Sequence, residues 1–376
     1  MSFNFFVPTR LLFGEGVISK LHKQRFPGKK ALIVISSGKS TRTNGYLARV
    51  EEELKAAGIE TLVFDKVLPN PVIANVMDGA KIARDEQCDF VVGLGGGSSI
   101  DTAKAIAIMA TNDGEYWDYI YGGTGKGQKM KQHPLPIVAI PTTAGTGTEV
   151  DPWTVVSNEE TNEKISCGND KTFPILAVVD PNFMLSVPPL FTAYQGFDAL
   201  FHSTEGYIAN MANLMSDMYA LKAIESVGRN LAAACADGKN MVAREQVAFG
   251  STLSGVVMCV SCTTSEHALE HALSAYHHTL PHGAGLIMIS IAYYTHFVNH
   301  APDLADRFVD MAKAMGKSDA TEPMDFVKAL ADLQKVCGVD TLKMSDYGIT
   351  REELPTLARS AKETMGNLFK LDRCVL

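Results

Sequence analysis

Apolar positions in the first half of the chain form short continuous runs, separated by stretches with the apolar periodicity of helices. This alternation is typical of a parallel sheet covered by helices on both faces. Ahead of it, residues 3–13 alternate apolar and polar side chains around Pro8, which predicts a hairpin or a strand pair. The predicted strands are residues 31–35, 60–64, 90–94, 136–140 and 175–179, and the predicted helices run from about 40 to 57, 72 to 86 and 102 to 110.

Beyond about Pro189 the pattern becomes helical, almost without strand signals. We therefore predict an α/β, Rossmann-like N-terminal domain at residues 1–187 and an all-α domain at 188–376, with the active site in the cleft between them. The predicted helices are residues 192–210, 215–235, 243–262, 265–276, 283–299, 303–314 and 324–336, and one more after 351.

Composition narrows the class of protein. Hydrophobic residues make up 46% of the 376 positions and charged residues 20%, as in an ordinary globular protein. The net charge of -8 argues against nucleic acid as a partner, and no apolar run is long enough to cross a membrane. The N-terminal residues do not resemble a secretion signal, and the 7 cysteines are scattered, so we expect a cytoplasmic protein.

Residues 196–283 contain the strongest candidate chemistry. Asp198 and His202 are spaced four apart, which places them on one helix face, and His267 and His271 repeat that spacing. His282 follows in a Pro-His-Gly turn. Oxygen and imidazole donors suit a divalent transition metal such as iron or zinc. A lone histidine on an apolar helix is more often a packed core residue. Two pairs with helical spacing, together with the Pro-His-Gly turn in the same segment, favour a metal site instead.

Two loops after predicted strands are candidates for binding phosphates. In the first loop, glycines let the backbone approach a phosphate, and the following helix would present free amides. The second loop carries hydroxyls and glycines suited to a second set of phosphate and ribose contacts. The alternative for the first loop is a tight turn without a ligand, since such a motif has frequent false positives. The candidate ligand-binding residues are Gly96, Gly97, Ser98 and Asp101 in the first loop, and Thr142, Thr143 and Thr146 in the second.

The turn after the first apolar strand bears on the choice of nucleotide. A carboxylate there would bind the ribose 2′-hydroxyl of NAD, but Ser36, Gly38 and Ser40 provide none. Lys39 and Arg42 add positive charge beside these small residues. The turn therefore predicts a preference for NADP, unless it serves only to cap a helix.

Four segments together resemble the iron-containing (group III) alcohol dehydrogenases, in particular the butanol dehydrogenase branch. They are residues 95–104, 141–147, 196–202 and 267–283. The resemblance implies a dehydroquinate synthase-like architecture, a homodimer, Fe2+ (with Zn2+ as the alternative) and NADP or NAD. It also implies metal ligation by Asp198, His202, His267 and His282, a substrate-side role for His271, and cofactor contacts from Asn70 and Lys164.

The predicted reaction is hydride transfer between NAD(P) and a small primary alcohol or aldehyde. A divalent metal makes this chemistry accessible because it lowers the pKa of a bound oxygen by several units. His271 would either relay the proton to solvent or orient a ligand. The alternatives are glycerol or diol dehydrogenase chemistry, a dehydroquinate synthase-like lyase, a metallohydrolase, and a protein that binds metal or nucleotide without catalysis.

Overall fold

The computed structural model describes residues 2–375 and divides them into two compact units. The sheet unit contains Val7–Thr143 and Thr148–Ser186. The helical unit contains the segment that ends at Phe6, the short strip Ala144–Gly147, and the chain from Val187 onward. The domain bounds 1–187 and 188–376 remain a prediction.

The strands of the sheet unit are β1 Arg10–Phe13, β2 Lys30–Ser36, β3 Glu60–Val67, β4 Phe90–Gly95, β5 Ile137–Pro141, β6 Thr154–Asn158, β7 Glu163–Cys167 and β8 Leu176–Val179, and its helices are α1 Ser40–Thr43, α2 Tyr46–Ala56, α3 Ile73–Asp85 and α4 Gly97–Thr111. Six of the strands form one sheet in which every strand pair is parallel, with the order β1-β8-β5-β4-β2-β3. After β2 the chain adds β3 on one side and then returns to add β4 on the other. Ligands bind outside the carboxyl ends of strands at such a reversal.

Close packing of β4 against α4 positions the first glycine loop. Both elements are almost entirely buried. A Cβ atom at Gly93 would lie 2.8 Å from the Cα atom of Ile100, so only glycine allows this approach. Gly95, with φ of +152°, then turns the chain from the strand into the helix.

The parallel sheet confirms the predicted α/β class, but two local predictions were wrong and one hairpin was missed. Residues 3–13 form no hairpin, because only β1 is a strand and it pairs in parallel with β8. The first predicted helix is interrupted at Gly45, whose φ of +75° separates α1 from α2. An antiparallel hairpin, β6 and β7, was missed. Its turn uses a positive φ at Asn162, a weak signal in sequence.

The helical unit contains eight α-helices between Val187 and Val375, and they follow the predicted pattern closely. The helices are α5 Pro189–Ile208, α6 Leu214–Ala236, α7 Met241–Val260, α8 Ser265–Tyr276, α9 His282–His300, α10 Ala305–Ala314, α11 Met324–Val336 and α12 Leu354–Phe369. Within residues 2–375, no single helix is long and apolar enough to cross a membrane; α7 and α8 meet both conditions only together, across a bend of 107°.

Candidate metal centre and nucleotide loops

Three helices of the helical unit bring the predicted metal ligands together. Asp198 and His202 lie one turn apart on α5, His267 lies in the first turn of α8, and His282 is the first residue of α9. The side chains of Asp198, His202 and His267 are buried, whereas His282 is partly exposed. Solvent therefore reaches this group of side chains mainly at His282.

One carboxylate oxygen lies among the three imidazoles. Asp198 Oδ1 is 3.5 Å from His202 Nδ1, 3.6 Å from His267 Nε2 and 3.4 Å from His282 Nε2. Ligands about 2.1 Å from a tetrahedral metal are roughly 3.4 Å from one another. Ligand atoms of Asp198, His267 and His282 all lie within 4.8 Å of one another. The spacing is that of donors around a common cation.

Within residues 2–375, several polar atoms at this centre are buried without a hydrogen-bond partner that would stabilise them. Asp198 Oδ1, His202 Nδ1 and His267 Nε2 are buried and have no hydrogen-bond partner among the described residues. Burying an unsatisfied polar group costs free energy, and buried charges are usually paired or bind metals. A divalent cation would satisfy all three atoms at once. The residues present therefore fit the metal that the sequence predicts.

The electrostatics of the centre follow from burial and proximity. Burial lowers the pKa of His202 to about 4, which leaves its imidazole neutral near pH 7 and able to donate a lone pair. Burial would raise the pKa of Asp198, but the neighbouring histidines hold it well below its ordinary value. Burial would also lower the pKa of His267, yet the charges of Glu205 and Asp198 raise it to about 10. A metal at His267 must therefore compete with a proton.

His271 lies beside this group without reaching Asp198. Its ring centroid is 5.5 Å from that of His282 and 6.4 Å from that of His267. Its Nδ1 atom lies 3.0 Å from the sulfur of Met365. Ligand atoms of His271, Glu270 and His282 also lie within 4.8 Å of one another, which defines a second, overlapping donor set.

Part of the second glycine loop belongs to the same unit as the metal ligands. A Cβ atom at Gly145 would lie 3.1 Å from Asp198 Oδ2 and 2.9 Å from the carbonyl oxygen of Gln195. Glycine is needed for this approach. The neighbouring residue Thr146 is half-buried. A loop predicted for nucleotide binding thus ends against the carboxylate predicted for the metal.

In the sheet unit, the first glycine loop forms the N-terminus of α4. Gly96 precedes the helix and Gly97 is its first residue, as a phosphate-binding loop requires. The Ser98 hydroxyl donates a short hydrogen bond to the carbonyl oxygen of Pro69. Asp101 is buried, where it accepts hydrogen bonds from Thr148 Oγ1 at 2.7 Å and from the amide of Val155 at 2.9 Å. Asp101 therefore holds protein segments together.

The other predicted cofactor residues lie near the same edge of this sheet. Thr142 and Thr143 follow β5 directly and are half-buried. Lys164 Nζ donates to Asn70 Oδ1 at 3.4 Å, so these two residues are neighbours.

The turn after β2 contains Ser36, Gly38 and Ser40, and the last two are exposed. Lys39 and Arg42 were both predicted to supply positive charge for a 2′-phosphate. Arg42 pairs with Asp65 at 2.7 Å, so its charge is already partly compensated, and the prediction rests mainly on Lys39.

Comparison with known proteins identifies the family. The model of the iron-containing alcohol dehydrogenases matches residues 8–181, and the C-terminal model of the same family matches residues 192–370. The chain belongs to the iron-containing alcohol dehydrogenase family. It is therefore a metal-dependent and NAD(P)-dependent oxidoreductase that acts on alcohols, as predicted.

Relatives extend over nearly the whole chain. Alcohol dehydrogenase 4 of Saccharomyces cerevisiae (strain YJM789) is 35% identical and covers 95% of this chain and 91% of its own. The 1,3-propanediol dehydrogenase of Klebsiella pneumoniae is 35% identical, with coverages of 99% and 95%. The probable NADH-dependent butanol dehydrogenase 1 of Bacillus subtilis (strain 168) is 30% identical, with coverages of 99% and 97%.

Solved structures agree with the fold. Alcohol dehydrogenase ADH/D1 from an archaeal, halo-thermophilic source in a Red Sea brine pool has a TM-score of 0.94 and 31% identity, covering 100% of this chain and 96% of its own.

Two carboxylates at the centre were missed from the sequence. Glu205 Oε1 lies 2.7 Å from His267 Nδ1, and Glu270 Oε2 makes a short contact with His282 Nδ1. Glu205 lies seven residues after Asp198 and Glu270 lies three after His267. Helical spacing would have placed both on the ligand faces.

Proposed function

We propose that this enzyme reduces small aldehydes to primary alcohols, and catalyses the reverse reaction, with an iron ion held by Asp198, His202, His267 and His282. The observation that carries the ligand set is the position of Asp198 Oδ1, 3.4–3.6 Å from a nitrogen of each histidine. These donors would also accept zinc. We favour iron because the family is described by that metal.

The metal, the nucleotide and the protein would each supply a different part of the reaction. When bound, a divalent iron would polarise the substrate oxygen, and the nicotinamide would donate or accept the hydride. The protein supplies one carboxylate and three imidazoles, and Gly145 keeps space beside Asp198 that a side chain would fill. The amides at the start of α4 would bind the nucleotide phosphates.

We propose His271 as the residue that exchanges the proton with solvent. Its imidazole lies beside His282, whose side chain is partly exposed. Its Nδ1 atom lies 3.0 Å from the thioether of Met365, which is only a weak hydrogen-bond acceptor. Imidazole gains and loses a proton near neutral pH, which suits a side chain in this position to relay.

The cofactor preference is also a proposal. NADP is favoured by the absence of a carboxylate from the turn at residues 36–40 and by the exposed Lys39. The pairing of Arg42 with Asp65 weakens the argument from charge, and the name of the Bacillus subtilis relative specifies NADH for that protein. A homodimer and a cytoplasmic location are further proposals; the first rests on the family resemblance and the second on the scattered cysteines.

The function can be tested with anaerobically purified enzyme reconstituted with Fe2+. We expect loss of NAD(P)H absorbance with C2 to C4 aldehydes, and no turnover by the Asp198→Asn variant, which should also lose its iron. Asp217→Asn is a matched control, because it removes a carboxylate that pairs with Arg307 elsewhere in the helical unit.

Two results would contradict the proposal. Full activity of the metal-free enzyme would refute the role of iron. Normal iron content in Asp198→Asn would refute the ligand set while leaving the family assignment intact.

A further inference from the structure

We propose that Glu205 and Glu270 are positioning residues that fix the Nδ1–H tautomers of His267 and His282 and thereby set the affinity of the centre for its metal. This inference rests on the proposed ligand set. It assigns roles to two buried carboxylates that do not themselves reach the ligand atoms around Asp198.

The position of Glu205 on α5 directs its side chain towards His267. Asp198, His202 and Glu205 follow the spacing i, i+4, i+7, so all three project from one face of the helix. Glu205 is fully buried and accepts the Nδ1–H of His267 at 2.7 Å. Because Glu205 holds the proton on Nδ1, the proton that a metal must displace is the one on Nε2, the atom that faces Asp198.

Glu205 also fixes the backbone that carries His267. The residue before α8, Thr264, does not cap the helix with its own side chain. Glu205 replaces that cap: Oε1 accepts the amide of His267 at 3.2 Å, and Oε2 accepts the amide and the hydroxyl of Thr264. One side chain of α5 therefore satisfies free amides at the start of α8 and orients the imidazole.

Glu270 has the corresponding role for His282. It lies three residues after His267 on α8, is fully buried, and accepts a short hydrogen bond from His282 Nδ1. His282 begins α9, and a Cβ atom at Gly285, in the next turn, would lie 2.8 Å from Glu270 Cγ. The small residue at 285 lets the carboxylate reach across to α9. The Nε2 atom of His282 is then directed at Asp198.

The two contacts have a common consequence. A carboxylate on Nδ1 fixes the orientation of a ligating imidazole and makes it more basic, and loss of such a partner typically weakens metal affinity about 10–100-fold. With Asp198, three carboxylates are arranged around the centre. Their charges favour a divalent cation and oppose its loss.

The test compares Glu270→Gln, Glu205→Gln and the control Asp217→Asn as purified holoenzymes. The measurements are the dissociation constant for Zn2+ and for Co2+ in competition with a chelator, the visible absorption of the Co2+ form, and the melting temperature of chelator-treated protein. We expect each glutamate variant to bind metal about 10–100-fold more weakly and to alter the Co2+ absorption, with no such change in Asp217→Asn.

Glu270→Gln separates positioning from folding, because its amide oxygen can still accept from Nδ1 and the helix cap at Thr264 is untouched. It should lose affinity while the melting temperature of the chelator-treated protein stays near that of the unmodified enzyme. Glu270→Asp, which restores the charge, should regain part of the affinity. Glu205→Gln should lower the melting temperature as well, since it disturbs the cap.

The outcomes distinguish this inference from the ligand set. If both glutamate variants bind Zn2+ and Co2+ as tightly as the unmodified enzyme while Asp198→Asn and His267→Ala do not, the positioning roles are refuted and the ligands stand. If Asp198→Asn and His267→Ala also bind normally, the ligand set itself is wrong.

Discussion

Lys104 and Asp151 form an ion pair that is wholly enclosed in the sheet unit. Nζ lies 3.0 Å from Oδ1, and both side chains are almost completely inaccessible to solvent. Lys104 also donates to Thr148 Oγ1 at 2.6 Å and to the carbonyl oxygen of Trp153 at 2.7 Å. The ammonium group on α4 thereby holds the segment that follows the second glycine loop.

Asp151 should make the stability of the protein depend on pH. Burial raises its pKa from 3.8 to about 7, although Lys104 opposes the shift. The folded state therefore retains a proton that the unfolded state has already lost, so this contribution is complete below about pH 4 and disappears as the pH rises through about 7. The fall should be at most about 4 kcal/mol. Urea unfolding of chelator-treated protein at several pH values measures it.

Asp151→Asn should lack this component of the pH dependence. Asp78→Asn, at an exposed position of α3, should retain it. Identical pH slopes for Asp151→Asn and the unmodified protein would show that Asp151 is ionised in both states.

His271→Ala should slow turnover but leave the metal in place. The imidazole lies beside His282 and does not reach Asp198, so we expect kcat to fall about 10²–10⁴-fold with a changed pH profile, the range for loss of a general acid or base. Iron content and kcat against pH are the measurements. His271→Ala that has lost its iron would instead favour the overlapping donor set with Glu270 and His282 as the metal site.

Ser36→Asp should move the cofactor preference towards NADH. A carboxylate at the end of β2 would repel a 2′-phosphate and accept hydrogen bonds from a ribose. We expect the ratio of kcat/KM for NADPH to that for NADH to fall at least about tenfold, equivalent to about 1.4 kcal/mol. Ser36→Asn has the same size without the charge and should change the ratio less. An unmodified enzyme that already prefers NADH would overturn the NADP proposal.

Gly93→Ala should destabilise the sheet unit. The added methyl group would lie 2.8 Å from Ile100 Cα and 3.1 Å from Ala103 Cβ, so α4 would have to move away from β4. Overpacking of this kind costs about 1–3 kcal/mol. Gly366→Ala in α12 is the control, since nothing lies within 4 Å of its added atom. Equal melting temperatures for the two variants would show that α4 adjusts without cost.

The sequence predicted those features that depend on local spacing. Asp198 with His202 and His267 with His271 repeat a helical interval, and the structure keeps each pair on one helix. The buried strands were also predicted from a local signal, because each is a short apolar run bounded by polar turns. The fold class and the family could therefore be stated from the sequence.

Features that depend on packing between distant segments were not predictable. Helical spacing places Glu205 on the ligand face of α5, but its contact with His267 exists only because α5 lies against the start of α8. The hydrogen bond from the Ser98 hydroxyl to the carbonyl oxygen of Pro69 joins two loops and was not predicted, whereas the contact of Ser98 with a phosphate stays a prediction. The alternation at residues 3–13 suggested a hairpin because a sequence does not reveal that β8, far along the chain, is the partner of β1.

The strip Ala144–Gly147 limits where the chain could be divided into two fragments that fold separately. It interrupts the sheet unit in sequence, yet it packs with the helices: Ala144 donates to Gln195 Oε1 at 3.3 Å, and a Cβ atom at Gly147 would lie 2.4 Å from the amide nitrogen of Gly255. A helical fragment that starts at Val187 would lack this strip and its contacts with Gln195 and Gly255. The helical unit is therefore assembled from more than one stretch of the chain, and recombination of related enzymes at residue 187 alone would combine the helices of one enzyme with the strip of another.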